Sequence, residues 1–229
     1  MPGRNIVGDW PINSLGNKVF DLSGNGNTGT FVNSPTWTGG KFGPAIEFVT
    51  ASSQYIEIND SDTVAFGDGA GSITKKSIIL WYKPNAINVD NFLMGKDTFE
   101  YVLSVSAGNR LAFTLYGQTG SLTCQTTVGF MNNAGQWTQL AITYDGGITG
   151  AALTLYMNDQ SIGSGSGTFN YPKRTTQSLR FAETRFSGYL DGQISHVNFY
   201  DKNLSASEIG EIFRESFHRY PENRIFAVA

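Results

Sequence analysis

The stretch WTQLAITYDGGITGAALTLYMND, residues 137–159, contains two short runs in which apolar side chains recur at every second position. A period of two is typical of a β-strand that buries one face. Gly146 and Gly147 separate the two runs and favour a turn between them. The stretch therefore predicts two β-strands, over residues 137–144 and 152–157.

The same alternation recurs along most of the chain. It predicts further strands over residues 55–58, 77–81, 101–105, 111–116, 178–182 and 193–200. Glycine clusters separate these segments, and one of them, GSGSG at residues 163–167, is interpreted as a flexible hairpin tip. Short strands with frequent turns favour a two-sheet antiparallel sandwich over alternating strand and helix units.

The composition agrees with one large all-β domain. Of the 229 residues 27 are glycine and 13% are aromatic, whereas only 15% are charged, against roughly 25% in average proteins. The single cysteine, Cys124, cannot form an internal disulfide and is interpreted as a small buried apolar residue. Stability is therefore expected to come from the core.

Charge and hydropathy exclude some classes of partner. The net charge of -3 and the pI near 5.4 provide no basic field for a phosphate backbone, so nucleic acid is not an expected partner. Membrane insertion is not expected either, because no run of about 18 apolar residues occurs. The start of the chain, MPGRNIVGDW, lacks the charged and apolar regions of an export signal.

One helix is predicted near the end of the chain. Ser205 and Glu208 form an S-x-x-E capping box, and apolar residues follow on one helical face. This face is expected to pack on the sandwich, so the domain is predicted to span residues 1–214. Residues 215–229 are predicted to form a C-terminal arm that docks on the domain or on a partner.

Five sequence motifs, taken in order, point to one family. They are D-x-S-G-N-x-N at residues 21–27, G-K-F-G at 40–43, W-Y-K-P at 81–84, the W-x-x-x-A-x-T-Y-D-G strand at 137–146, and G-x-I-x-x-V-x-x-Y followed by L-S-x-x-E-I within 192–209. Together they resemble the laminin-G-like, concanavalin-A-like jelly-roll family in its prokaryotic or phage-encoded form. The resemblance implies an all-β fold, a two-sheet antiparallel jelly-roll sandwich with one short C-terminal helix, and it names no ligand.

The resemblance also implies a structural calcium ion (Ca2+) near the first motif. Asp21, Asn25 and Asn27 are the expected oxygen ligands. Further along the chain, where many family members carry two carboxylates, this sequence has Ser195 and His196, which weakens a calcium site. The alternative is a turn held by hydrogen bonds alone.

Catalysis is not expected. A glycosidase needs two carboxylates on one strand face, whereas Glu57 and Asp60 have an odd spacing that places them on opposite faces. The remaining acidic candidates are isolated in the sequence: Glu100, Glu183 and Asp191. His196 is interpreted as a cross-strand surface residue, and no partner is fixed for His218 in the tail. A polysaccharide-degrading enzyme is therefore the lesser alternative.

Binding is the expected function, and two classes of binding protein remain. In one class the domain is a carbohydrate-binding or adhesive module of a bacterial surface or secreted protein, and its aromatic rings stack on sugar rings. The candidate aromatic residues are Trp10, Trp37, Tyr116 and Tyr171, with core packing as the alternative for each. Exposed rims are predicted at residues 85–91 and 168–173.

The other class, which the sequence favours, is a virion component such as a phage head-decoration or fibre protein that can also attach to glycans. A start at Met1 without an export signal, the absence of disulfides and the C-terminal arm favour this hypothesis. The expected partners are a capsid or other virion protein, or a second copy of the chain. The candidate docking residues are Phe217, Arg219, Tyr220, Arg224 and Phe226.

Overall fold

The computed structural model describes residues 5–12, 16–96, 100–184 and 188–219, with side chains through residue 216. Within these ranges the strands are β1 (Ile6–Trp10), β2 (Lys18–Val19), β3 (Gly29–Val32), β4 (Thr36–Gly40), β5 (Gly43–Phe48), β6 (Tyr55–Ile58), β7 (Lys76–Pro84), β8 (Asn91–Lys96), β9 (Tyr101–Val105), β10 (Leu111–Tyr116), β11 (Ser121–Gln125), β12 (Thr138–Tyr144), β13 (Ala151–Met157), β14 (Gln160–Gly167), β15 (Leu179–Phe181), β16 (Glu183–Thr184), β17 (Gly188–Tyr189) and β18 (Gly192–Tyr200). Two 3-10 turns occupy Thr50–Ser52 and Asp62–Val64, and the helix α1 occupies Ala206–Arg219.

The strands form two eight-stranded antiparallel sheets that pack face to face. In the first sheet the order is β14-β13-β12-β7-β18-β5-β4, and β1 also pairs with β18. In the second sheet the order is β11-β10-β9-β8-β15-β6-β3-β2, and β16 and β17 form a separate two-stranded sheet. The predicted all-β, two-sheet antiparallel jelly roll with one C-terminal helix is confirmed.

The stretch at residues 137–159 forms two neighbouring strands of the first sheet, next to the edge strand β14. Its two runs become β12 and β13, which pair antiparallel with Ile142 opposite Leu155. β12 also pairs with β7, where Leu140 lies opposite Leu80. Because side chains alternate in direction along a strand, these four residues all enter the space between the sheets, where they are buried.

Large apolar side chains fill the core between the sheets. Trp10 of β1 is fully buried and meets Phe181 and Phe199 edge to face, with ring centroids 5.2 and 5.7 Å apart. Its indole Nε1 donates to the carbonyl of Asn27 at 2.7 Å, so the one polar atom of the ring is satisfied. Cys124 also lies in this core as predicted, and burial raises the pKa of its thiol to about 11.

The glycine-serine run at residues 163–167 is part of a strand, so its interpretation as a hairpin tip is wrong. It belongs to β14, which pairs with β13 at the edge of the first sheet. β14 also lies against the second sheet, and a Cβ at Gly165 would come within 2.4 Å of the carbonyl oxygen of Thr123. Small residues are needed because the two sheets approach closely at this edge.

Helix α1 packs on the outer face of the first sheet. The contact is a second apolar cluster made by Ile79, Ala141, Tyr156, Tyr200, Leu204, Ile209 and Ile212. The predicted capping box is confirmed, because the N–H of Ser205 donates to Glu208 Oε2 at 3.0 Å and the N–H of Glu208 donates to Ser205 Oγ at 3.3 Å. The predicted boundary between residues 214 and 215 falls inside this helix. In the described part of the chain no helix is long and apolar enough to span a membrane.

Candidate binding site at one end of the sandwich

Two of the four predicted aromatic residues lie together at one end of the sandwich. Tyr116 ends β10, and Tyr171 lies in the loop between β14 and β15. The backbone N–H of Gln118 donates to the carbonyl of Tyr171 at 3.0 Å, and that of Lys173 donates to the carbonyl of Tyr116 at 2.8 Å. The side-chain Nε2 of Gln118 also donates to the carbonyl of Gly69 at 3.3 Å. These bonds join three loops into one surface, the Tyr171 rim, which consists of residues 67–72, 116–120 and 169–174.

Tyr171 provides the exposed aromatic surface of this rim. The residue is 39% exposed, whereas Tyr116 is half-buried and burial raises the pKa of its phenol. The side chain of Gln118 is exposed beside it, and that of Lys173 is half-buried. An exposed ring with polar neighbours is suited to stack on a sugar ring while those neighbours bond to its hydroxyl groups.

A tight loop supports the ring of Tyr171. Oδ1 of Asp68 accepts hydrogen bonds from the backbone N–H groups of residues 70, 71 and 72 at 2.8, 3.0 and 2.9 Å. The side chain of Ser72 and these backbone groups lower the pKa of Asp68 to about 2. The ring of Tyr171 lies against Gly71, where an added Cβ would be 3.6 Å from it. The glycines of this loop predicted only a turn, and an aspartate followed by small residues is the signal that indicates its hydrogen-bonded form.

Gly117 allows the two tyrosine-bearing loops to come together. It forms an isolated β-bridge with Pro172 across the rim. A Cβ at Gly117 would lie 2.5 Å from the carbonyl oxygen of Asn170, which is well inside van der Waals contact. Any larger residue would separate the loops, so the close backbone approach requires glycine at this position.

A buried charge network fixes the rim to the body of the domain. Arg174 donates to the two carboxylate oxygens of Asp60 at 2.7 and 2.9 Å. The fully buried Lys96 lies 2.9 Å from Asp60 and 2.7 Å from Glu100. Oε2 of Glu100 in turn accepts the backbone N–H and the hydroxyl of Thr175, each at 3.0 Å. The loop is therefore held at two consecutive residues, 174 and 175.

The half-buried carboxylate of Asp60 and the buried one of Glu100 differ in proton affinity. Burial opposes the ionisation of Asp60, but the hydrogen bonds from Arg174 and Lys96 outweigh it and lower the pKa. At Glu100 burial is the larger effect and raises the pKa in spite of Lys96. Oε1 of Glu100 has no hydrogen-bond partner within the described residues, which adds to the cost of the charged form.

The other two predicted sugar contacts lie away from this rim. Trp10 is a core residue with no exposed surface, so it has no ring face to offer to a ligand, and the structure corrects that prediction. Trp37 of β4 is half-buried and packs on Phe31 with ring centroids 5.3 Å apart. Its Nε1 donates to the carbonyl of Gly16 at 2.7 Å, so the polar atom of this ring is already bonded within the protein.

The second predicted rim, residues 85–91, follows the opposite end of β7. The side-chain amide of Asn85 donates to Glu47 Oε1 at 2.6 Å and to Asp191 Oδ1 at 3.1 Å. Asp191 is therefore not isolated, as its sequence position suggested, but lies close to a second carboxylate. Both acidic groups are engaged by the same amide donor.

The Asp21 turn, residues 21–27, is closed by hydrogen bonds to one carboxylate. Oδ1 of Asp21 accepts the backbone N–H groups of Asp9 and Ser23, each at 2.9 Å, and Oδ2 accepts that of Asn27 at 2.9 Å. Burial opposes the ionisation of Asp21, but these bonds outweigh it and lower the pKa. The ionised carboxylate thus ties the turn to β1.

The polar side chains of this turn are engaged in hydrogen bonds within the protein. The amides of Asn25 and Asn27 both donate to the carbonyl of Val7, at 3.1 and 3.2 Å, and an N–H group cannot ligate a cation. Oδ1 of Asn27 accepts the hydroxyl of Ser61 at 2.7 Å. Among the described residues no group of three or more His, Cys, Asp or Glu side chains could hold a metal ion. The geometry favours the hydrogen-bonded alternative, and the calcium ion stays a prediction that chelation tests.

His196 is not a surface residue of a regular strand, so that interpretation is wrong. The pairing of β18 with β7 shifts register between Ser195 and Asn198, and His196 in this bulge has a φ of 49°. Its side chain is half-buried, and burial lowers its pKa to about 4. Its Nδ1 lies 2.5 Å from the hydroxyl oxygen of Ser195.

All five predicted docking residues lie outside the described side chains. Phe217 and Arg219 belong to α1, but their side chains lie outside the described ones. Tyr220, Arg224 and Phe226 lie outside the described residues altogether.

A family model matches the greater part of the chain. This laminin-G model of the concanavalin A-like lectin/glucanase superfamily covers residues 50–210, which include most strands of both sheets and the start of α1. The chain therefore belongs to that superfamily, and the resemblance inferred from the five motifs is confirmed. No curated protein matches the sequence.

Several solved structures share the fold at low sequence identity. The binding domain of Paraclostridial Mosquitocidal Protein 1 matches with a TM-score of 0.74 at 18% identity, over 93% of this chain and 52% of that one. Domain 4 of AbnA, a GH43 extracellular arabinanase from Geobacillus stearothermophilus in complex with arabinotriose, has a TM-score of 0.69 at 19% identity, over 91% of this chain and 98% of that one. The binding domain of botulinum neurotoxin DC in complex with SialylT has a TM-score of 0.69 at 11% identity, over 93% of this chain and 52% of that one. The chain thus spans about half of the toxin domains and nearly all of the arabinanase domain.

Proposed function

We propose that the protein is a non-catalytic module that binds carbohydrate through the Tyr171 rim. One observation carries the proposal: two tyrosine-bearing loops are joined at one end of the sandwich, and the ring of Tyr171 stays 39% exposed on this fixed backbone. An aromatic ring that is already held in place loses little conformational freedom when it stacks on a ligand.

The comparisons support this proposal at the level of related domains. The arabinanase domain was solved with a bound trisaccharide, and it has nearly the same extent as this chain. The toxin neighbours are described as binding domains, one of them in complex with SialylT. Because the identities are low, these neighbours support a binding role without defining which glycan this chain binds.

The contacts of the acidic side chains support the non-catalytic part of the proposal. Glu47 and Asp191 share the amide of Asn85. Arg180 donates to Glu57 at 3.1 Å and to Glu183 at 2.7 Å. Each of these pairs is held by a nitrogen donor between the two carboxylates, whereas hydrolysis of a glycoside requires one free acid and one free base or nucleophile.

Glycan binding by the wild-type protein and by Tyr171→Ala tests the proposal. An array that includes arabino-oligosaccharides identifies a ligand, and isothermal titration calorimetry with that ligand then gives the dissociation constant. The Tyr171→Ala variant is expected to bind at least about tenfold more weakly, because the stacking surface is lost. Its melting temperature should stay close to that of the wild type, since the ring is largely outside the core.

Phe20→Ala is the matched control for this experiment. Phe20 is also an exposed aromatic residue, 49% accessible, but it follows β2 at the other edge of the second sheet. Six strand steps separate β2 from β10, which at about 4.8 Å a step is roughly 29 Å. This variant should bind like the wild type. Equal losses in both variants, or no glycan binding at all, would contradict the proposal.

A finer proposal concerns the setting in which the module works. That the protein is a virion component that docks through residues 215–229 stays a prediction, as do the secreted and cell-surface alternatives. Because α1 continues to Arg219, the informative truncation ends at residue 219, which keeps the helix intact. The truncated chain should stay folded and lose co-sedimentation with a capsid or other virion protein, or with a second copy of itself. Association that survives this truncation overturns a docking role for residues 220–229.

A further inference from the structure

A cavity lies between α1 and the outer face of the first sheet. Its volume is about 190 Å³, and it shares no lining residue with the Tyr171 rim. A cavity of roughly 150 Å³ is large enough for benzene, so this one has room for a molecule of about one six-membered ring. The lining residues that matter here are Gln139, Asn198, His196, Trp81, Ile6 and Leu22.

The side chain of Gln139 is the first reason to regard this cavity as a binding site. The residue has no exposed surface, yet neither its Nε2 nor its Oε1 has a hydrogen-bond partner within the described residues. Its backbone is fixed, because its N–H donates to Asn158 Oδ1 at 3.1 Å and its carbonyl accepts the N–H of Asn158 at 2.7 Å. A buried amide without partners is costly, so an apolar residue would be more stable at this position.

The backbone at His196 is the second reason. His196 occupies the bulge of β18 with a left-handed φ of 49°, which is unfavourable for a residue other than glycine. The bulge places His196 in the lining of the same cavity as Gln139. Bulges of this kind often redirect a side chain toward a functional site.

The hydrogen-bonding chemistry of the lining selects an uncharged ligand. The amide of Gln139 offers N–H donors at Nε2 and an acceptor oxygen at Oε1, so a partner that satisfies both atoms accepts at one position and donates at a neighbouring one. A carboxylate only accepts and an ammonium group only donates, whereas a pair of hydroxyl groups does both. Asp9 and Glu215 also line the cavity, and no lysine or arginine occurs among its described lining residues, which disfavours an anion.

The walls add an apolar requirement. Ile6 and Leu22, which are 36% and 59% exposed, and the buried Trp81 line the cavity together with its polar groups. A sugar ring has an edge of neighbouring hydroxyl groups and a face of C–H groups, which matches this combination. We propose that the cavity is a second binding site, which takes one sugar ring or a ring-sized polyol with two neighbouring hydroxyl groups bonded to the Gln139 amide.

Nuclear magnetic resonance of the full chain tests this proposal at the atom concerned. The side-chain N–H signals of Gln139 are identified by their absence from the spectrum of Gln139→Met. Glucose, galactose, mannose, arabinose and glycerol are titrated into the 15N-labelled wild type, with acetamide and acetate as contrasting probes. At least one sugar or polyol should shift the Gln139 signals saturably, with a millimolar dissociation constant, and Gln139→Met should weaken binding at least about tenfold.

Two variants keep the outcome clear. Thr184→Val removes another buried polar atom without a partner, but in β16, away from the cavity, and should bind the sugar like the wild type. Leu22→Trp narrows the cavity from an exposed position and should weaken binding without unfolding the protein. A Gln139 signal that no sugar or polyol shifts overturns the proposal, as does binding that survives Gln139→Met or a response to acetamide or acetate alone. The rim variant Tyr171→Ala should leave these shifts unchanged, so failure of one site does not imply failure of the other.

Discussion

The Asp21 turn and the cavity around Gln139 are neighbours, because Leu22 of the turn lines the cavity, but they use their polar groups in opposite ways. Both oxygens of Asp21 accept backbone N–H groups, and one of these belongs to Asp9. In the cavity, which Asp9 also lines, both polar atoms of the buried Gln139 side chain lack partners. The turn contains a recognisable motif and has a structural role. Gln139, in contrast, occupies an unspecified position of the W-x-x-x-A-x-T-Y-D-G motif. Recognisable motifs thus indicate the fold, and polar groups that the fold leaves unpaired indicate where a ligand can bind.

The largest effect on stability in this region is expected at Trp10, because its indole joins the Asp21 turn to the core through the Asn27 carbonyl. Trp10→Ala is expected to lower the free energy of unfolding by about 3–5 kcal/mol, since it removes a fully buried ring. Denaturation in urea, followed by circular dichroism, measures this loss. Trp10→Phe keeps most of the ring and loses the Nε1 hydrogen bond, so it should cost less than the alanine variant. A loss below about 1 kcal/mol for Trp10→Ala would contradict its role in the core.

On the cavity side, the pH dependence of the free energy of unfolding tests the burial of His196. Burial lowers the pKa of His196 from 6.5 to about 4. Between these values the unfolded chain binds a proton at this residue and the folded chain does not, so stability falls as the pH falls through this window. At about 1.4 kcal/mol per unit, and with some reduction for partial exposure, His196 should account for a loss of about 2–3 kcal/mol between pH 7 and pH 4.

The matched variant for this measurement is His196→Asn. Asparagine tolerates the left-handed backbone of the bulge and does not titrate, so its unfolding free energy should fall less steeply with pH than that of the wild type. The difference between the two slopes isolates His196 from the other titrating groups. Identical slopes would show that His196 titrates normally in the folded protein, and would place it outside the buried lining of the cavity.

The strands and the helix cap could be predicted because their signals are local. The alternation at residues 137–159 is visible in the sequence, and the Ser205 capping box lies within one helical turn. The strand at residues 163–167 was missed because its small residues are required by the second sheet, which is remote in sequence. Gln139 also looked like an ordinary polar position of a strand, because no local pattern shows that α1 covers that face.

The dependence on contacts that are remote in sequence also explains which site residues were predicted well. An aromatic side chain signals possible stacking, but its exposure depends on the tertiary packing. Trp10 and Tyr171 are therefore equivalent candidates in the sequence, and one is fully buried while the other is 39% exposed. The turn at residues 21–27 was predicted correctly as a turn, whereas its choice between calcium and hydrogen bonds depends on where the Asn25 and Asn27 amides point.

Asp21 provides the smallest expected stability effect and decides between the two accounts of its turn. Asp21→Ala should lower the free energy of unfolding by about 2 kcal/mol, because three backbone N–H groups lose an ionised acceptor in a half-buried setting. Asp21→Asn, which keeps one carbonyl oxygen of the same shape, should lose less. If hydrogen bonds alone close the turn, the melting temperature of the wild type is the same in excess calcium and in EDTA. A rise with calcium in the wild type that is absent from Asp21→Ala would instead establish a metal site at this turn, because only a ligand that prefers the folded state raises its stability.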